Sequence, residues 1–292
     1  MDKQDLKQEI KDNKTLAKEL EERLKKEFQK VIDDPTEKKI KEYREIEDLI
    51  LLAWLKNTFF NMTQGINENI ANGKSVAVEQ LRKKGFKKIE DNADIYTELA
   101  NAKKQLIKIE LEKIIANIKA NSRRNISEMR DALVLQKKKL TSGFMVTFRK
   151  YGVTYFTDKR GAKWSLERYI NMSTTTLMAS TNRQSFFAKS LEWGNDLVKV
   201  VHLGVSPECE LCRPFTGKVL SISGRTKGYM TVDEASQSGH LFSYNCDHTV
   251  SALELAPAKE KDDNKIHLNE KNIEYLKKRG IKNVKKRAFY SA

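Results

Sequence analysis

The positions of the three cysteines restrict how the second half of this chain can fold. Cys209 and Cys212 stand in "SPECELCRPFTG", and Cys246 precedes His248 by two residues in "SYNCDHTV". Two intervening residues let both sulfurs of a turn reach one tetrahedral ion, and residues two apart on a strand point to the same face. Three cysteines and one histidine form a complete ligand set, so the spacing predicts a structural Zn²⁺ site that draws the two segments together.

Several alternatives to a metal site stay open. The segment between the two pairs is longer than the ~15–20 residues of paired Cys-x-x-Cys zinc sites. A Cys-x-x-Cys pair is redox-active where it opens a helix, whereas "RPFTGKVLSIS" is typical of a turn and a strand. Cys246 and His248 would need a third, orienting group to act as nucleophile and base, and the sequence singles none out. All three cysteines can also be small buried hydrophobes.

The remaining histidines have weaker interpretations. His202 and His240 are reserve metal ligands, although His202 is better placed at the end of a strand. His240, Asn245 and His248 are too close together for the hairpin and helix of a His-Asn-His nuclease.

Composition favours long, solvated helices around a modest core. Of 292 residues, 33% are charged and 39% are hydrophobic, against about 25% charged in an average globular domain. No apolar run approaches the ~20 residues of a membrane span, and the N-terminus lacks the apolar core of a signal peptide. We therefore expect synthesis in a reducing cytoplasm, where three cysteines do not form a disulfide framework.

The basic surplus is concentrated at the C-terminus. Net charge is +15, which favours contact with acidic partners such as nucleic acid. In the first 140 residues lysines alternate with glutamates, as on solvated helix faces. From Lys277 onward the chain instead carries seven basic residues and no acid, which predicts contact with phosphate or an acidic protein surface: Lys277, Lys278, Arg279, Lys282, Lys285, Lys286 and Arg287. A purely solubilising tail is the alternative.

Apolar residues at helical spacing predict helices over residues 1–140. The first stripe is Leu6, Ile10, Ala17, Leu20, Leu24 and Val31. After "DDPTEKK" a second helix buries Ile40, Tyr43, Glu47, Ile50 and Trp54. "QGINENIANGKS" is expected to break it, and a third helix begins near Asp94. The apolar face of that third helix is Ile95, Leu99, Leu106, Ile109, Ile114 and Ile118.

From residue 141 the pattern changes to that of a compact α+β domain. Short aromatic and β-branched runs predict strands before the turn "DKRG", and Ser165 is a natural N-cap for the helix that follows. "DLVKVVHLG" and "GKVLSISG" are typical strands, and "TVDE" has the form of a capping box. Alternating residues from Phe242 to Val250 predict a last strand. The expected fold class is α+β, with a helical region (1–140), the α+β domain (141–256) and a basic tail (257–292).

Three ordered segments carry a family resemblance. "YFTDKRGAKWSLERYINMSTTT" (155–176) resembles the Tyr-x-Thr-Asp-x-x-Gly-x-x-Trp-x-Leu-x-x-Tyr segment of the phage minor capsid protein 2 family, which is related to the Mu F-like head morphogenesis proteins. "VKVVHLGVSPECELCRPFTGKVLSISG" and "LFSYNCDHTVSAL" resemble its two cysteine segments. The chain departs from the family pattern at Ser243 and Tyr244, where the family has His-Pro, and at Asp247, where it has Arg. The predicted zinc ligands are kept.

The resemblance implies a structural, low-copy minor capsid protein of a tailed phage. Its partners would be the portal protein, other head or scaffold components, and packaged DNA bound without sequence preference. It would act in head assembly inside the phage head, and the resemblance leaves open whether it is ejected with DNA. The alternative function is a zinc-containing nucleic-acid-binding protein, although no recognition helix follows the cysteines. An enzyme, either a thiol oxidoreductase or a delivered toxin, is the third hypothesis.

Overall fold

A computed structural model of the chain describes residues 3–87, 94–134, 142–157, 161–204, 207–244, 246–253, 264 and 266–279. Its elements are, in order, α1 (Lys3–Asp33), α2 (Glu37–Lys83), α3 (Asp94–Val134), α4 (Ser142–Tyr151), β1 (Phe156–Thr157), β2 (Lys163–Trp164), α5 (Leu166–Glu192), β3 (Leu197–His202), β4 (Val219–Ser221), α6 (Val232–Gly239), β5 (His248–Ala252) and α7 (Glu270–Lys278). Helices with small antiparallel sheets make this an α+β protein, as predicted. No helix within these ranges is long and apolar enough to cross a membrane.

Internal contacts divide the chain into two compact units. The helical unit comprises Met1–Ile66 and Ala102–Thr175, and the mixed unit comprises Asn67–Asn101 and Thr176–Ala292. The boundaries between these two units do not coincide with the predicted domain boundaries at residues 140 and 256. The functional division into 1–140, 141–256 and 257–292 stays a prediction.

The stripe predicted for α1 forms part of the core of the helical unit. Ala17, Leu20, Leu24 and Val31 are all buried, while the side chains of Leu6 and Ile10 lie outside the described part. Phe28, on the same face, packs edge-on against Tyr43 of α2 with ring centroids 5.0 Å apart, and its centroid is 5.4 Å from that of Phe148 of α4. A narrow apolar stripe on a charged helix thus finds its partner helices within one unit.

The buried face of α2 includes a carboxyl group. Ile40, Tyr43, Glu47, Ile50 and Trp54 are buried as predicted. The Tyr43 hydroxyl donates to Glu47 Oε1 at 3.0 Å, and the Ser122 hydroxyl of α3 donates to the same oxygen. Burial raises the pKa of Glu47, against the opposing effect of these two hydrogen bonds.

The predicted face of α3 was correct only in its second half. Ile114 and Ile118 are buried, whereas Leu106 and Ile109 are 53% and 46% exposed. The buried stripe instead continues toward the N-terminus through Leu111 to Ile107. Leu106 and Ile107 are adjacent apolar residues, and helical spacing allows either one to extend the stripe. The prediction assigned Leu106 to the buried face, whereas Ile107 is the buried residue.

Two local predictions about secondary structure were wrong. The segment "QGINENIANGKS" lies inside the continuous helix α2, which ends at Lys83, before Gly85 with its positive φ of 80°. The aromatic run at 142–151 forms helix α4 rather than a strand, because Phe148 packs against α1. In both cases neighbouring helices supply contacts that outweigh local preference.

The helix predicted after Ser165 is confirmed. The Ser165 side chain accepts a hydrogen bond from the Arg168 backbone N–H at 3.3 Å, as an N-cap does, and α5 continues to Glu192. Before it, β1 and β2 pair antiparallel with Phe156 opposite Trp164. Residues 158–160 of the predicted turn lie outside the described part.

The mixed unit is built on a three-stranded antiparallel sheet of order β4-β3-β5. Val200 of the central strand pairs with Val250, and His202 with His248 at the end of the β3–β5 ladder. Helix α6 begins at the predicted capping box of Thr231 and Glu234. The core beside this sheet contains Cys212 together with apolar residues of α2, α5 and the strands. One cysteine is therefore integrated into the hydrophobic core.

Asp196 fixes the connection that follows β4. It precedes β3, and its carboxylate accepts hydrogen bonds from the side chains of Ser221 and Ser223 and from the backbone N–H groups of Ser223 and Thr226, at 2.6–2.9 Å. These bonds outweigh burial and lower the pKa of Asp196 to about 2. The carboxylate thus holds the loop that leads toward α6.

Candidate metal centre

The Cys-x-x-Cys segment forms a tight turn. The backbone carbonyl of Cys209 accepts hydrogen bonds from the N–H groups of Cys212 and Arg213, both at 2.9 Å. A single 3₁₀ turn, Arg213–Phe215, follows before β4. Cys212 is completely buried and Cys209 is partly exposed. No α-helix N-terminus faces these thiols in this segment, which agrees with the interpretation of the sequence as a turn and a strand.

The second pair lies where β5 begins. The strand starts at His248, later than the predicted alternation, because Phe242 adopts the left-handed conformation with φ 64°. Cys246 and His248 nevertheless face each other, with 3.4 Å between the Sγ atom and Nδ1. The Phe242 N–H donates to Cys246 Sγ at 3.2 Å. The geometric expectation for Cys-x-His therefore holds although the strand is shorter.

The predicted ligands form two groups that share Cys212. One group is Cys212, Cys246 and His248, and the other is Cys209, Cys212 and His240; within each, the candidate ligand atoms all lie within 4.8 Å of one another. The sequence predicted the first group and Cys209, and named His240 only as a reserve. A set of five thiol and imidazole groups can hold a metal ion.

Two distances within the group of Cys212, Cys246 and His248 fit the edges of a tetrahedral thiolate site. With Zn–S near 2.3 Å and Zn–N near 2.0–2.1 Å, the edges of a tetrahedron are about 3.8 Å between sulfurs and about 3.6 Å between sulfur and nitrogen. Cys212 Sγ lies 3.9 Å from Cys246 Sγ, and Cys246 Sγ lies 3.4 Å from His248 Nδ1. Both separations agree with those edges to about 0.2 Å, so the side chains of this group need little movement to share one ion.

A hydrogen-bond chain behind His248 fixes which nitrogen faces the cysteines. The Thr216 hydroxyl donates to the Glu208 carboxylate, and its oxygen lies 2.9 Å from His248 Nε2. Because the hydroxyl proton is already given to Glu208, Thr216 accepts the Nε2–H proton. Nδ1 is therefore the nitrogen that is available to bind a metal, an arrangement typical of metal-bound histidines.

The thiols are electrostatically unequal. The hydrogen bond from Cys212, with those from the backbone N–H groups of His248 and Phe242, outweighs burial and lowers the pKa of Cys246. The same contact and burial raise the pKa of Cys212. Burial lowers the pKa of His248, but its interactions with Cys246 and Glu208 are together stronger and raise it. The cluster thus stabilises a thiolate on Cys246, which is the form that binds metal.

Sequence reasoning did not find Glu208 or Thr216, because no spacing rule marks them. Together they supply the orienting group that a Cys246–His248 nucleophile would also require, so that alternative gains a geometric basis. However, Cys212 is the neighbour of Cys246 on its other side, and a nucleophile has no need for a second buried thiol there.

The other predicted site residues are distributed as follows. His202 ends β3 with its ring 4.9 Å from that of His248, and it belongs to neither ligand group. Lys277, Lys278 and Arg279 are exposed at the end of α7. Lys282, Lys285, Lys286 and Arg287 lie outside the described residues.

Comparison with known proteins supports the resemblance carried by these segments. The family model described as phage minor capsid protein 2 matches residues 3–288. No curated protein and no solved structure matches the chain significantly. Because the match runs from the first helix through the cysteine cluster and into the basic tail, the chain belongs to the phage minor capsid protein 2 family.

Proposed function

We propose that this protein is a structural, non-catalytic component of a phage head whose mixed unit is crosslinked by zinc. The observation that carries the proposal is a family match from residue 3 to residue 288 on a chain that collects three thiols and two imidazoles in one cluster. The family supports a structural role in the virion. Association with the portal, head assembly and a position inside the head are the finer parts of the proposal.

Cys209, Cys212, Cys246 and His248 would hold the ion. Thiolates and imidazole are the ligands that Zn²⁺ prefers, and four protein ligands leave no position for substrate. The ion would connect the turn before β4 to the start of β5, segments far apart in sequence. In a reducing cytoplasm zinc supplies a crosslink that a disulfide cannot.

The first experiment is elemental analysis of the purified full-length protein, with thiol titration before and after chelation. We expect one zinc per chain and thiols that react only after chelation. His248→Asn should lose the metal, and His240→Asn tests whether the second group supplies the fourth ligand. His267→Asn, which changes an exposed histidine outside both groups, is the matched control. A metal-free protein with one fast-reacting thiol would refute the zinc crosslink and favour a nucleophilic Cys246.

An exposed apolar stripe on α2 supports contact with a portal or head protein. Leu49, Leu52 and Phe60 are 68%, 48% and 60% exposed at helical spacing within the helical unit, and exposed apolar groups of this kind mark interaction surfaces. Leu49→Lys with Phe60→Lys should abolish co-assembly with the portal ring in co-sedimentation. Arg44→Glu changes an exposed residue of the same helix that lies away from the apolar stripe, and it is the control. Unchanged co-sedimentation of the double variant would exclude this stripe as the contact.

The basic tail would contact packaged DNA. Three of the seven basic residues from Lys277 onward are exposed: Lys277, Lys278 and Arg279. Binding to a random duplex should weaken with salt at a slope of about −0.9 per phosphate contacted. Replacing the four distal basic residues (Lys282, Lys285, Lys286 and Arg287) by Gln should make that slope about 3 to 4 units shallower. Tight, sequence-selective binding would instead favour the alternative, a nucleic-acid-binding zinc protein.

A further inference from the structure

A cavity of about 380 Å³ lies within the mixed unit, between α5, α6 and α7. Its size is in the range of small-molecule sites. Arg183 of α5 and Arg279 at the end of α7 both line it, together with Phe187, Tyr275 and the exposed carboxylate of Asp233. Two arginines against one aspartate leave a positive balance in a cavity that also has aromatic walls.

Arg183 is the unusual member of this set. The residue is only 7% exposed, and burial lowers the pKa of its guanidinium to about 10, although the thiolate of Cys246 raises it. Its ring neighbour is Phe242, whose centroid lies 4.5 Å from the guanidinium carbon. Within the described ranges, no carboxylate lies at ion-pair distance from it. A buried cation that forms no ion pair with a carboxylate is costly, so its presence requires an explanation.

The hydrogen-bond capacity of Arg183 is largely unused. A guanidinium has five N–H donors, and among the described residues it donates one hydrogen bond, from Nη2 to the Phe242 carbonyl at 3.3 Å. Because the side chain lines the cavity, the free donors can serve a group that enters it. An oxyanion with two or more oxygens matches the fork of an arginine.

The nearby thiolate does not use these donors. Cys246 Sγ already contacts Cys212, the Phe242 N–H and His248 Nδ1, and a metal would complete its surroundings. Cys246 therefore offsets part of the charge of Arg183 through space but satisfies none of its N–H groups. The second arginine, Arg279, is exposed; its guanidinium donates a 3.4 Å hydrogen bond to the Tyr275 hydroxyl and lies 5.7 Å from the centroid of that ring.

We propose that this cavity binds a phosphate monoester of nucleotide size, with Arg183 holding the phosphate and Arg279 closing over it. The volume admits a nucleotide but not a duplex, and Phe187 and Tyr275 offer apolar surface to an organic moiety. Arg279 is also one of the tail residues proposed to contact DNA, whereas Arg183, the buried anchor of this site, lies on α5 outside the tail.

Isothermal titration of the full-length, zinc-analysed protein tests the proposal at low ionic strength. Deoxyadenosine 5′-monophosphate should bind and deoxyadenosine should not, because the phosphate supplies the anion. Titration with inorganic phosphate shows whether the organic part of the ligand contributes. If inorganic phosphate binds as tightly as deoxyadenosine 5′-monophosphate, the site is one for free phosphate. If it binds more weakly, the site is one for a nucleotide. Arg183→Met should weaken binding about 10- to 100-fold, the worth of one or two charge-assisted hydrogen bonds.

Matched variants make the result decisive. Arg279→Met changes an exposed residue that the fold tolerates and should also weaken binding. Lys227→Met, which removes an exposed charge of the mixed unit that does not line the cavity, should leave binding unchanged. No binding of either phosphate ligand to the wild-type protein would overturn the proposal. Equal losses in Arg279→Met and Lys227→Met would also overturn it, since that result indicates general attraction to a basic surface. Zinc content, measured on each sample, shows separately whether the metal centre is intact.

Discussion

Replacing Gly73 with alanine tests whether packing or helix propensity governs the middle of α2. Gly73 is buried, and a Cβ atom added there would lie 2.4 Å from the backbone carbonyl oxygen of Asn182 and 2.9 Å from Ser185 Cβ, both on α5. The first distance is about 1 Å short of ordinary contact. A carbonyl within a helix cannot rotate away, so the two helices would have to separate.

The expected cost follows from three contributions. Overpacking of a tight contact costs about 1–3 kcal/mol. Separation by about 1 Å would also break the hydrogen bond that the Ser185 hydroxyl donates to the Ile70 carbonyl, now 2.7 Å long, and such a bond contributes about 1 kcal/mol. The higher helix propensity of alanine relative to glycine stabilises the variant by about 1 kcal/mol. Gly73→Ala should therefore destabilise the mixed unit by about 1–3 kcal/mol, lowering its Tm by roughly 2–4 °C per kcal/mol.

Circular dichroism during thermal unfolding measures this effect. Ala71→Gly is the matched control, because Ala71 is exposed on the same helix two residues away. That change should cost about 1 kcal/mol from propensity alone. If packing governs, both substitutions destabilise the protein. A Gly73→Ala variant that is more stable than wild type by the amount that Ala71→Gly loses would refute the close approach of α5.

Three further changes probe charge and metal. Asp196→Asn weakens four hydrogen bonds. The pKa of Asp196 is about 2 in the folded protein and near 3.9 in the unfolded chain. The wild-type protein should therefore be more stable than the variant by about 1–2 kcal/mol after allowance for screening; this difference is complete above pH ~4 and is lost as the pH falls toward 2. Denaturant titration at several pH values measures it, and a pH-independent difference would contradict this origin. Glu47→Gln should gain stability relative to wild type as pH rises above ~4, because burial raises the pKa of Glu47 and its ionisation then opposes folding; an equal effect at pH 4 and pH 7 would contradict it. Cys212→Ala should release zinc and remove hydrogen-exchange protection from β3 and β5, and a folded, zinc-loaded variant would refute the crosslink.

Local sequence patterns predicted the features that local interactions control. The capping box at Thr231 and the N-cap at Ser165 formed where predicted, because each requires only atoms within one turn. The α1 stripe was correct because one face of that helix is unambiguous. Gly73 lies in the segment that was predicted to break α2; glycine lowers helix propensity, but here the absence of a side chain is what lets α5 approach. The sequence cannot distinguish these two roles of glycine before the partner helix is known.

The candidate site shows the same limit. Cysteine spacing predicted Cys209, Cys212, Cys246 and His248 as ligands, because ligand spacing is a local property; the structure groups Cys212 with Cys246 and His248, and groups Cys209 with Cys212 and His240. The side chains that orient or neighbour the cluster are contributed by other segments: Thr216 by the turn before β4, and Arg183 by α5. No motif connects them to the cysteines in sequence, and only the packing of the mixed unit brings them close.

The surroundings of the two candidate histidines favour His248 over His240 as the fourth ligand. His248 is 3% exposed, and Thr216 holds its Nε2 so that Nδ1 already faces Cys246. His240 is only partly buried, has a positive φ of 64°, and lines the cavity between α5, α6 and α7 with its ring edge-on to Tyr275. Binding through His248 therefore requires no new ordering, whereas binding through His240 would have to fix a ring that no described side-chain hydrogen bond holds. Preorganisation of this kind changes metal affinity by about 10- to 100-fold, so the zinc crosslink should run from the turn before β4 directly into the first residue of β5.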